Sequence, residues 1–135
     1  MFLLDTNIVS ELRKPKPHGG VVAWVSAKET TSLYLSAMTI AELQRGVEMT
    51  HEQDTDKANH IEAWLEQLMF TGQVLAMDAA ICREWARLMH RRSESLVEDA
   101  FIAATARVHR FVVVTQNVRD FKTFGVETLN PFDQK

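Results

Sequence analysis

The run FVVVT, residues 111–115, decides the fold. Four apolar residues, three of them β-branched, stand side by side with no polar alternation, which is how a strand covered on both faces reads. Strands of that kind belong to parallel sheets with helices above and below. Outward from it, residues 97–109 have helical spacing, and Asn117 starts another helical turn. The same punctuation recurs along the chain. Phe2, Leu3 and Leu4 form a short apolar run that stops on Asp5 and turns into a helix near 8–12; LYLS (33–36), 74–76 and 127–129 are further short strands. Between them lie helices near 21–27, 40–50, 54–70 and 78–92. A capping box, Thr39-Ile-Ala-Glu42, is expected to open the third. Gly72 ends the fourth, whose apolar face is Ile61, Trp64, Leu65 and Leu68, and Asp78 caps the fifth. Strands separated by helices predict right-handed βαβ units and an α/β fold: a three-layer α/β/α domain with a mostly parallel central sheet.

At 135 residues, with no linker, repeat or low-complexity tract, the chain reads as one domain spanning 1–135. The single cysteine, Cys82, excludes an internal disulfide and a cysteine zinc site; its place between Ile81 and Trp85 predicts a buried thiol. There is no leader-like start and no apolar run of membrane-span length, so the expected location is cytoplasmic, with no membrane partner. A net charge of −3 argues against coating nucleic acid by bulk charge. Positive residues nevertheless cluster: Arg83, Arg87 and Arg91 recur every four residues, and Arg13, Lys14 and Lys16 crowd the segment after the first helix. These are either a solvated face or a phosphate-contacting stripe.

In an open parallel sheet, ligands collect beyond the carboxyl ends of the strands. Asp5 follows the first strand, Glu42 lies on the helix after the second, and Asn117 and Asp120 follow FVVVT. Asp99 joins them from the first turn of a helix rich in alanine (Ala100, Ala103, Ala104, Ala106), because it shares a face with Ala103 and close packing there carries it inward. Each has an innocent reading: Asp5 as a strand stop, Glu42 as a capping-box partner, Asp99 as a helix-dipole partner, Asp120 as surface. Together, three carboxylates from distant segments converge on one end of the sheet. Anions sharing a small site either hold protons at raised pKa or share a cation. An all-oxygen set favours a hard ion, Mg2+ or Mn2+, and such an ion serves phosphodiester hydrolysis. The histidines, His18, His51, His60, His90 and His109, show no ligand spacing and are expected at the surface.

Three blocks, LLDTNIVSEL, LYLSAMTIAELQRGV and EDAFIAATARVHRFVVVTQNVRDF, resemble in order and spacing the PIN-domain ribonuclease toxins of the VapC type, including the FitB-like branch, and the likeness runs on to LNPF near the end of the chain. The resemblance implies that Asp5, Glu42 and Asp99 hold the catalytic Mg2+ and that the fourth family position falls on Asn117, where many relatives carry Asp. An amide is a weaker ligand than a carboxylate, which leaves water orientation to Asn117 or its place to Asp120. Thr6, Asn7 and Ser36 border the acids as hydrogen-bonding support. The resemblance further implies an endoribonuclease acting on transfer or ribosomal RNA, the toxin of a type II toxin–antitoxin system, a homodimer, and a VapB-like antitoxin.

On this reading Arg45, Arg83, Arg87 and Arg91 position the RNA backbone through phosphate contacts. Leu12, Val21, Val22, Trp24, Val25, Ile40, Leu43 and Val47 either form a groove for an antitoxin helix or pack the domain's own helices. Two other readings compete. A phosphatase with Asp5 as nucleophile would want a second aspartate at position 7, where the chain has Asn7. A catalytically impaired module that binds RNA or protein, with Asn117 marking a degraded site, is the alternative from another class.

Overall fold

A computed structural model describes residues 1–133 of the chain; the last two positions of the expected 1–135 domain lie outside the described residues. Five parallel strands form one sheet in the order β3-β2-β1-β4-β5. They are β1 (Phe2–Leu4), β2 (Leu33–Ser36), β3 (Val74–Leu75), β4 (Val112–Val114) and β5 (Thr128–Leu129). The helices are α1 (Thr6–Arg13), α2 (Gly19–Ser26), α3 (Ala37–His51), α4 (Thr55–Thr71), α5 (Ala79–Met89), α6 (Val97–His109) and α7 (Val118–Lys122).

β1 and β4 pair with Leu3 beside Val113 and Leu4 beside Val114. Successive side chains leave opposite faces of a strand, so one register serves two cores. Leu4 and Val114 join Ile8, Val21, Trp24, Leu43, Val47 and Leu65 under α1 to α4. Leu3 and Val113 join Ile102, Phe121 and Phe124 under the α5 to α7 side. Each fully buried aliphatic or aromatic side chain contributes about 1.5–3 kcal/mol, so both layers are held on by the two central strands. The small face of α6, with Ala100, Ala103 and Ala106 all at most 1% exposed, lets that helix lie close to the sheet.

Several local expectations are corrected. α3 starts three residues ahead of Ile40, and its cap is Ser36, whose Oγ accepts from the Met38 amide at 3.0 Å; Thr39 is inside the first turn rather than at a capping box. Ser36 ends β2 directly, so the strand hands its last residue to the helix. Cys82 is exposed. The buried residue of α5 is Ile81, and the next position points about 100° away from it. α5 stops at Met89, and Arg91 adopts a left-handed φ of 63° in the following loop, which breaks the expected Arg83, Arg87, Arg91 row. The apolar surplus resolves into the domain's own core: Val21, Trp24, Leu43 and Val47 are buried, Leu12, Val25 and Ile40 pack against them, and Val22 alone of the set is exposed.

α4 does end at Gly72, where a Cβ would meet the Leu68 carbonyl oxygen at 2.7 Å. The sheet's order places the switch in strand direction of travel between β1 and β4, so residues just beyond those two strands face a crevice. No helix among the described residues is long and apolar enough to cross a membrane.

Candidate active site

Asp5 occupies that crevice. It follows β1, is 4% exposed, and its amide donates to the Val114 carbonyl at 2.9 Å, which ties it to β4. Its Oδ1 accepts from the Thr6 amide at 2.8 Å, capping α1. Its Oδ2 accepts from the Thr115 hydroxyl at 2.8 Å and the Asn7 amide group at 3.0 Å. Burial pushes its pKa up, and these three donors pull part of the way back.

Glu42 faces Asp5 from the second turn of α3. Its Oε1 accepts from the Thr6 hydroxyl at 2.8 Å, and Thr6 also lies 3.0 Å from the Thr39 hydroxyl. Thr6 has one hydroxyl proton and the carboxylate takes it, so Thr39 is the donor in the second contact. The early start of α3 is what frees Glu42 from capping. Burial raises its pKa, the Thr6 bond opposes that, and the charges of Asp5 and Glu98 add to the rise.

Asp99 enters from the first turn of α6, half-buried, with its pKa pushed up to about 6 by burial first and then by the charges of Asp5, Glu42, Asp120 and Glu98. Asn117 stands between two of these acids: its amide group donates to Asp99 at 3.3 Å and to Asp120 at 2.9 Å, and its backbone N–H donates to Thr115 at 2.9 Å. An aspartate at 117 would add a further anion where the amide now gives two protons.

These side chains share a depression of about 440 Å3 lined by Asp5, Thr6, Asn7, Glu42, Asp99 and Asn117, with Ser10, Glu11, Lys14 and Gln116 completing the wall. The acids face a common space without closing on it: among the described residues no three His, Cys, Asp or Glu side chains stand as a ready-made metal cage. The room between them suits a hydrated hard cation with a phosphate group, since such ions keep several waters. No histidine lines it.

Among the sequence-predicted residues, Asp5, Glu42, Asp99, Asn117, Thr6 and Asn7 come together, and Asp120 is joined through Asn117. Ser36 is fully buried as the α3 cap and is not among the residues that line the depression. Arg45 pairs with Glu98 at 3.2 Å beside the site. Arg83, Arg87 and Arg91 do not line the depression, and Arg87 is tied to Glu84 at 3.2 Å. Thr115 was not singled out from the sequence. It is fully buried, donates to Asp5, and accepts from the Asn117 N–H and, at 3.4 Å, from Asn7. Its signal was its place, the first polar residue after the most apolar strand.

The PIN-domain family model matches residues 2–126. The chain is 36% identical to the VapC ribonuclease Y4jK of Sinorhizobium fredii, over 98% of this chain and 99% of that one. It is 34% identical to the toxin FitB of Neisseria gonorrhoeae with the same coverage. The crystal structure of FitAcB from Neisseria gonorrhoeae superposes with a TM-score of 0.85 at 34% identity, covering 98% of this chain and 99% of that one. With the fold, the acid-lined crevice and these likenesses in agreement, the chain belongs to the PIN-domain family, in its VapC-type, FitB-like branch.

Proposed function

We propose that this protein is a divalent-cation-dependent endoribonuclease, the toxin of a type II toxin–antitoxin pair, that hydrolyses phosphodiester bonds in transfer or ribosomal RNA and so arrests translation. The observation that carries this reading is the meeting of Asp5, Glu42 and Asp99, from three distant segments, in one depression at the carboxyl end of the sheet, each with its pKa raised. Raised pKa values in a shared cleft support a functional site there.

The donor set fits a hard cation. Asp5, Glu42 and Asp99 would hold Mg2+, with Mn2+ as a substitute. When bound, the ion supplies positive charge that makes water more acidic and offsets charge building on the attacked phosphate. The chain's own contribution is orientation. Thr115 and Asn7 fix the Asp5 carboxylate, Thr6 backed by Thr39 fixes Glu42, and Asn117 steadies Asp99 against Asp120. At neutral pH Asp99, with a pKa of about 6, is mostly ionised and able to ligate.

The partners on this reading are RNA, a VapB-like antitoxin and a second copy of the chain. A solved relative, VapBC-5 of Mycobacterium tuberculosis, is a member of the VapBC family of toxin–antitoxin systems, which supports the antitoxin. A depression of about 340 Å3 with an apolar lining that includes Leu4, Val9, Leu12, Leu33, Leu35 and Leu68 has the right chemistry for a partner helix.

Purified protein incubated with total RNA, with Mg2+ or with EDTA, tests the proposal. Discrete fragments in Mg2+ and intact RNA in EDTA are expected, and the 5′ ends of the fragments identify the RNA that is cut. Intact RNA in both lanes, from protein that still binds it, would establish the impaired binding module instead.

A further inference from the structure

A second depression, of about 280 Å3, adjoins the acid-lined one at Glu42. Thr6, Ser10 and Glu42 wall both, and the other side of the second carries Arg13, Arg45 and Ile61. Three cations therefore edge the trough made by these two adjoining depressions: Lys14 beside the acids, and Arg45 and Arg13 beyond them.

Two of the three already have an acidic partner. Lys14 sits 2.9 Å from Glu11, and Arg45 sits 3.2 Å from Glu98. Arg13 is different: among the described residues it makes no ion pair, and its guanidinium carbon instead lies over the Trp64 ring, 5.9 Å from the centroid. An aromatic face does not cancel the guanidinium's charge, and an exposed guanidinium can take a planar, bidentate acceptor such as phosphate. Arg13 also lines a third depression, where Asp54 and Asp56 stand together with Lys57 and His60, so charge of both signs lies on that side. A polyanion entering a crevice of three carboxylates needs positive charge close by, and in a chain of net charge −3 that charge has to be local.

Resting on the nuclease reading above, we propose that the Arg13 depression is a phosphate subsite for single-stranded RNA flanking the bond to be cut, on the Glu42 side of the acids. Arg13 is a positioning residue there. It binds backbone, carries little base preference, and acts on substrate affinity rather than on the chemical step.

The test is binding of a fluorescein-labelled, mixed-sequence oligoribonucleotide in EDTA, where no cut is made, for the wild type, Arg13→Gln and Arg13→Lys across a salt series. Thermal melting confirms that both variants fold. Arg13→Gln should raise Kd roughly three- to ten-fold. It should also shallow the slope of log Kd against log salt by about 0.7, the loss of one single-strand phosphate contact. Arg13→Lys should keep the wild-type slope. In Mg2+, KM should rise for Arg13→Gln with kcat unchanged. Wild-type affinity and slope in Arg13→Gln, or no binding by the wild type, would overturn the subsite and leave the trough to a protein segment. Failure of the nuclease reading looks different, as wild-type protein that binds the oligonucleotide but does not cut RNA in Mg2+.

Discussion

Thr115 and Asp5, 110 positions apart in the chain, are joined by a 2.8 Å hydrogen bond between two buried side chains at the ends of neighbouring strands. That bond couples the strand that decides the fold to the carboxylate on which the site is built. Thr115→Val keeps the shape and removes the donor. Asp5 then loses the largest influence holding its pKa down, so its pKa rises further. The expected result is a loss of about 1–3 kcal/mol in stability and a cleavage optimum displaced to higher pH, read by denaturant melts and a pH–rate profile.

The pKa of Asp99 also has a stability consequence. A carboxyl whose pKa is higher folded than unfolded favours the fold while protonated. Its contribution is complete below its ordinary value of 3.8 and is lost as pH rises through about 6. In EDTA the melting temperature of the wild type should therefore fall across that window, and Asp99→Asn should flatten the fall. Added Mg2+ should stabilise the wild type more at pH 7.5 than at pH 5, because ligands bind cations in their deprotonated form. Identical melting curves for wild type and Asp99→Asn across the series would contradict this.

Asn117→Asp exchanges a donor to two carboxylates for another anion beside Asp99 and Asp120. The variant should melt lower than wild type in EDTA, recover with Mg2+, and bind the cation more tightly. Calorimetric titration with and without the ion checks the sign of each effect.

Ser36 and Thr39 are three residues apart on one helix and should behave differently. Ser36→Ala removes the cap of α3 and should cost about 1 kcal/mol of stability. Thr39→Val removes the hydroxyl behind Thr6 and should slow cleavage by loosening Glu42. A chemical-denaturation series paired with cleavage rates separates the two.

The sequence carried the layers and the acids well, and for a physical reason. A both-faces-apolar strand such as 111–115 admits few architectures, and a parallel sheet funnels the residue after each strand to one end. Topology brings Asp5 and Glu42 to that end of the sheet and the alanine face of α6 brings Asp99, so the three line one depression. What the sequence hid was set by angles and contacts. One helical step separates exposed Cys82 from buried Ile81. The cap of α3 was misplaced because Thr39 and Glu42 fit a capping box in spacing, while Ser36 competes for the same role from the strand end. The arginine row failed because α5 unwinds before Arg91. Place alone does not mark Thr115 for the site, because its partners, Asp5 and Asn7, are far away in the chain and a threonine just past a strand is ordinary by itself.

The central claim is that Asp5, Glu42 and Asp99 act as one cation site. Free Mn2+ followed by electron paramagnetic resonance during titration with protein at pH 7.5 measures this without RNA. Uptake by the wild type, weakened at least about ten-fold in each of Asp5→Asn, Glu42→Gln and Asp99→Asn, is the predicted result. Mn2+ bound by any of the three variants as tightly as by the wild type would show that the acids do not work together.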